Sequence, residues 1–108
     1  MVRQDALQGS LPLLILKILG SRGPLHGYGI TARIEAVSDL LRVEEGSLYP
    51  ALHRMEEAGW IRARWQTTEN NRRARVYELT ALGRKQLQSE ERRWTSITAA
   101  ITQVLKKA

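Results

Sequence analysis

Apolar positions along the chain fall into four stretches of helical spacing, interrupted once by a stretch with a period of two. Leu11, Leu14, Ile15, Ile18 and Leu19 form a broad stripe on a first helix, with Ser10 as the expected N-cap and Pro12 in the first turn. Residues 20–24, which include two glycines and a proline, should end it. A second helix is expected from near Gly27, with Ile30, Ile34 and Val37 facing a core and Thr31, Arg33 and Glu35 facing water. The third is bounded at both ends, since Pro50 belongs in a first turn and Gly59 suits a left-handed C-terminal position. It should begin at Gly46 or Ser47, turn Leu48, Leu52 and Met55 inward, and leave Ser47, Tyr49, His53, Arg54 and Glu57 on or near the outer face.

From Trp60 the pattern changes. Ile61, Ala63 and Trp65 alternate with Arg62, Arg64 and Gln66, which predicts a half-buried strand, and a second strand follows from Ala74 to Thr80 with Arg75, Tyr77 and Leu79 on one face. Glu69, Asn70 and Asn71 between them have turn chemistry, so the two strands form a hairpin. Thr80 is placed to cap a last helix that meets no proline before the end of the chain. The expected fold is therefore mainly α with a β-hairpin, a winged helix-turn-helix over residues 1–80 followed by a long C-terminal dimerisation helix, 81–108, packed on the same domain. On that helix Leu87, Trp94 and Ile101 recur every seven residues and Ile97 and Val104 fill the intervening positions, a coiled-coil-like seam broken by Glu90. A second copy of the chain is the economical cover for such a seam, which predicts a homodimer.

Charge narrows the function. Seventeen Lys and Arg against 11 Asp and Glu give a net charge of +6 over 108 residues, so the surface attracts a polyanion, nucleic acid before anionic membrane. The absence of cysteine excludes a disulfide framework, a thiolate nucleophile and Cys-containing zinc sites. The most apolar run, Leu11 to Leu19, falls short of the roughly 20 residues that cross a bilayer, and no signal-peptide cleavage pattern flanks it, so the cytoplasm is the expected compartment. No paired-carboxylate, phosphate-loop or metal-spacing motif is present, and His26 and His53 read as turn and surface residues; no catalytic residue, metal or cofactor is expected.

In a helix-turn-helix the N-terminus of the recognition helix meets the major groove. That role falls to the third helix. Ser47 offers a hydroxyl there, or else caps and packs; Tyr49 offers a phenol to a phosphate; His53 and Arg54, one turn on, reach base edges or remain solvated. At the wing Asn70, Asn71, Arg72, Arg73 and Arg75 concentrate amide and cationic donors suited to a minor groove or phosphate edge. For Arg62 and Arg64 a charged, aggregation-resistant strand edge is an equal reading. Gly27 and Gly29 would permit close approach of helix and DNA, since no nucleotide-binding glycine pattern follows a strand. A winged module that binds protein is the competing reading, and the basic wing weighs against it.

Three strings, Pro24-Leu25-His26-Gly27-Tyr28-Gly29-Ile30, then Glu45 to Glu56 (EGSLYPALHRME), then Arg72 to Thr80 (RRARVYELT), resemble the PadR family of regulators in order and separation, and the resemblance extends from about Leu11 to Gly83. The short final segment resembles the subgroup with a single C-terminal helix. What the resemblance implies is a cytoplasmic, dimeric regulator, usually a repressor, that binds double-stranded operator DNA and leaves it when a small molecule binds; family operators often resemble ATGT and its inverted repeat. Tyr28, Ser47 and Tyr49 match family positions that contact DNA, Tyr28 through its phenol on the backbone. Trp94 resembles the tryptophan of multidrug-sensing members, whose paired indoles stack flat aromatic effectors; ordinary dimer core is the other reading of that residue.

Overall fold

A computed structural model describes the backbone of residues 4–108 and the side chains from residue 9 onward. Helix α1 spans Gln4–Arg22, strand β1 Leu25–His26, α2 Gly27–Val37, α3 Glu45–Glu57, β2 Ile61–Thr67, β3 Arg73–Leu79 and α4 Ala81–Lys107. This is the mainly α winged-helix arrangement that the apolar pattern predicts. The sheet has three strands, in the order β1-β3-β2 and antiparallel throughout. Two residues of β1 are too few to show a period, which is why that strand is invisible in the sequence; Leu25 and His26 gain their conformation by pairing with Tyr77 and Val76.

Ser10 does not cap α1. The helix begins six residues earlier, at Gln4, in a stretch rich in good helix formers, and passes through Pro12. Leu11, Ile15, Leu16 and Leu19 are buried at the centre of the molecule, against Ile30 and Ile34 of α2, Leu48, Ala51, Leu52 and Met55 of α3, and Ile61, Tyr77 and Leu79 of the sheet. Leu14 and Ile18 flank this group and are only partly buried. Val37, expected in the core, is exposed, because α2 outruns the core at its last residue. Glu35 does more than face water: its Oε2 accepts the Val43 N–H at 3.1 Å and ties the loop that enters α3.

Both glycine turns have the left-handed geometry that glycine supplies without steric cost. Gly59 (φ +82°) follows α3, its N–H donating to the Glu56 carbonyl while Trp60 N–H donates to Met55, which is a Schellman ending. The turn feeds β2 directly. At the same end of the sheet, where β3 finishes, the Thr80 hydroxyl accepts the Gly83 N–H at 3.0 Å and donates to the Gly59 carbonyl at 2.6 Å, so one side chain caps α4 and fastens it to the α3–β2 turn. Gly83 is buried against the Trp60 carbonyl, where a Cβ would collide with backbone. Leu87 then packs on the core, Lys17 pairs with Glu91 at 3.2 Å, and α4 runs beside α1 as far as Ile97 before it outreaches the domain. The result is elongated, 57 × 31 × 21 Å, with a radius of gyration of 15.2 Å. About 13 Å is usual for a compact chain of this length.

Candidate nucleic-acid interface

Two helix starts meet at one place on the surface. His26 is the N-cap of α2, its Nδ1 accepting the Gly29 N–H at 3.1 Å. Beside it Tyr28, 77% exposed, holds its ring 6.3 Å from the imidazole. Tyr49, in the second turn of α3, lies with its hydroxyl over Gly27, so that a Cβ added there would stand 2.7 Å from Oη. Gly27 thus makes room for a tyrosine. Since the first N–H groups of a helix lack intrahelical acceptors and carry its positive dipole end, the start of α2 with two phenols beside it has the chemistry of a phosphate site.

Elsewhere on α3 the expected residues divide. Ser47 is 6% exposed and points inward. The physical reason is register: with α3 starting at Glu45, Ser47, Ala51 and Met55 fall four apart on one buried stripe. Of the two readings of its hydroxyl, packing is the one that the burial supports. His53 is exposed, with Nε2 3.1 Å from Glu57 Oε1. Arg54 is exposed, and among the described residues no carboxylate pairs with it.

The wing turns through Thr68–Arg72. Asn71 N–H donates to the Thr68 carbonyl at 2.9 Å, Thr68 N–H to the Arg72 carbonyl at 2.7 Å, and Asn71 itself adopts φ +59°, a left-handed conformation that asparagine tolerates. Asn70, Asn71, Arg72 and Arg73 are all exposed. The other wing arginines are engaged. Arg75 Nη2 donates to Glu56 Oε2 of α3 at 2.9 Å, which withdraws it from the free cations expected at the wing. On the opposite face Arg62 Nε donates to Glu78 Oε1 at 2.8 Å and Arg64 Nη1 stands 3.7 Å from the same oxygen. The Arg62 hydrogen bond, helped by the charges of Arg62 and Arg64, holds the Glu78 carboxyl below its usual pKa. Burial pushes the Tyr77 phenol up, against the opposing pull of Arg75.

Three participants escape a reading of the sequence. His26 as a cap, Glu56 as the anchor of Arg75, and Trp65 as a platform under Arg73 and Arg75 depend on pairings across the chain that no local spacing encodes; only the register of the hairpin, which sets Trp65 opposite Arg75, hints at the last. Along α4, Trp94, Ile97, Ile101 and Val104 are exposed, whereas Leu87 is partly buried. A cleft of about 150 Å³ between α1 and α4 is lined by Gly9, Ser10, Leu13, Glu90, Arg93, Trp94 and Ile97. Among the described residues no three His, Asp or Glu gather as metal ligands, and no helix is long and apolar enough to cross a membrane.

Comparison with known proteins adds the rest. The transcriptional regulator PadR-like family matches residues 15–89. A transcriptional regulator from Clostridium thermocellum is similar in structure with a TM-score of 0.84 at 27% identity, over 95% of this chain and 97% of that one. A PadR family transcription regulator from Clostridium difficile is similar with a TM-score of 0.78 at 28% identity, over 90% of this chain and 99% of that one. An uncharacterised protein of Lysinibacillus sphaericus is 26% identical over 102 residues, 94% of this chain and 93% of its own length.

Proposed function

The chain belongs to the PadR-like family of transcriptional regulators and is therefore a DNA-binding regulator, and from that premise we propose that it acts as a homodimeric repressor of a pseudo-palindromic operator, released by a small-molecule effector. The observation that carries this reading is the junction of α2 and α3, where Tyr49 sits over Gly27 beside the exposed Tyr28 at the His26-capped start of α2. Such a junction clamps a phosphate and thereby sets the depth of α3 in the major groove. Arg54 then faces base edges, and Asn70, Asn71, Arg72 and Arg73 follow the neighbouring minor groove or backbone. Ser47 supports the helix from inside, and Arg75 acts through Glu56.

Two copies joined along α4 present two such heads, and twofold symmetry demands an inverted repeat with half-sites about one DNA turn, roughly 34 Å, apart or a multiple of it. The exposed apolar stripe of Trp94, Ile97, Ile101 and Val104 supports that pairing. The cleft lined by Trp94 supports an effector site at the same seam, for a flat aromatic molecule. Selection of bound duplexes from a random library tests the whole reading: an inverted repeat is expected, bound with salt-sensitive affinity, whereas enrichment of single half-sites or no enrichment overturns it. Planar aromatics should quench Trp94 fluorescence and release the selected duplex. Quenching that is equal in Trp94→Ala, where two tryptophans remain, removes the effector site.

A further inference from the structure

Trp65 is 56% exposed, an unusual setting for an indole on a strand whose other inward positions, Ile61 and Ala63, pack on the core. The hairpin register sets it opposite Arg75, and Arg73 follows two residues farther toward the turn on the same sheet face. Both guanidinium groups lie over the indole, Arg75 at 5.8 Å and Arg73 at 4.9 Å from the ring centroid, within cation–π range. Their surroundings differ. Arg75 is anchored on α3 by Glu56 at 2.9 Å, whereas no carboxylate among the described residues pairs with Arg73. A chain of contacts thus runs from the last turn of α3 through Arg75 to the indole and ends on a cation with no anion.

We propose that Trp65 is a positioning residue for DNA binding: its indole, fastened to α3 through Arg75 and Glu56, holds the Arg73 guanidinium at the wing ready for a DNA phosphate. A long arginine side chain loses rotamer freedom when a ligand immobilises it, and restricting it beforehand removes part of that loss from binding. A guanidinium stacked on a ring keeps its N–H edges for an anion, which an ion pair with a carboxylate would consume. The same chain of contacts fixes the wing against the recognition helix, so the two DNA-facing elements keep one spacing.

This rests on the reading of the wing as a DNA contact, and the test separates the two. Affinity of the full chain for the selected duplex is measured over a series of salt concentrations for Trp65→Ala, Trp65→Phe, Arg73→Ala and the Trp65→Ala/Arg73→Ala double variant, with unfolding midpoints as control. Trp65→Ala should weaken binding by about two- to fivefold, the range of an exposed cation–π contact. Trp65→Phe, which keeps a ring face, should retain most of the affinity. In the Arg73→Ala background the loss from Trp65→Ala should vanish. An equal loss in both backgrounds, or none in either while Arg73→Ala weakens binding and flattens the salt slope by about one, overturns the role of Trp65 alone. No change in Arg73→Ala itself overturns the wing reading and this proposal with it. Should Trp65→Ala lower the midpoint, Trp65→Leu keeps apolar bulk without a ring face and is expected to weaken binding in the same way; wild-type affinity in Trp65→Leu overturns the proposal.

Discussion

Gly27 and Tyr49 show how a single missing side chain positions a functional one. A methyl group on Gly27 would meet the Tyr49 hydroxyl at 2.7 Å, and the phenol is the part that must yield because it is the half-exposed end of a side chain. Alanine is also the better helix former, so Gly27→Ala should leave the unfolding midpoint unchanged or slightly raised. Binding to the selected duplex should nevertheless fall about tenfold, the low end for loss of a hydrogen bond to a charged group. Tyr49→Phe should produce a loss of the same order, and the two combined should cost no more than either alone. Wild-type affinity in Gly27→Ala, measured by titration with labelled duplex, would remove Tyr49 from the interface. At this scale the sequence was legible in part: the phenol of Tyr49 could be read from residue type and that of Tyr28 from the family resemblance, but the inward turn of Ser47 and the capture of Arg75 by Glu56 could not, because the first depends on helix register and the second on a partner 19 residues away.

Within the hairpin, ion pairing sorts the arginines into three groups. Arg62 and Arg64 share Glu78 on one face, Arg75 is held by Glu56 on the other, and Arg72 and Arg73 remain for an external anion. The Glu78 carboxyl is held below its unfolded-state pKa by Arg62, so its contribution to stability is present above the ordinary carboxylate range and is lost as pH falls through the lowered value. Exposed pairs of this kind contribute little to stability. Their larger effect is on the field of the wing. Glu78→Gln raises the formal charge from +6 to +7 and releases two cations. Affinity for random-sequence duplex should rise about two- to fivefold at low salt, with a steeper dependence of log affinity on log salt. Part of the acid-induced fall in unfolding midpoint should disappear in the same variant. An unchanged salt slope would show that the Arg62 face stays clear of DNA.

Taken whole, the molecule is a compact head with a helix that outgrows it. Thr80 and Gly83 fasten α4 at its start, Leu87 and Lys17–Glu91 carry it along α1, and its remaining apolar stripe faces outward. Ile101→Glu places a charge in the middle of that stripe, remote from the core of the head. The expected result is a folded monomer by sedimentation analysis, with the midpoint of the head retained. Its affinity for an inverted repeat should fall about a hundredfold or more, since binding through two linked heads is lost, while affinity for a single half-site is kept. A variant that stays dimeric would place the interface elsewhere.

What the linear pattern determined by itself was the succession of elements: apolar spacing of three and four, then two, then seven leaves few alternatives for helices, hairpin and projecting tail, since burial of one face is the requirement each must meet. The tertiary structure alone decided which polar groups remain available. Strand β1, the seat of Tyr49 on Gly27, the fastening of Arg75 to Glu56 and the indole beneath Arg73 all join residues distant along the chain. Hydrogen bonds and ion pairs act over a few ångströms in space, and neither residue type nor periodicity says which side chains will come that close.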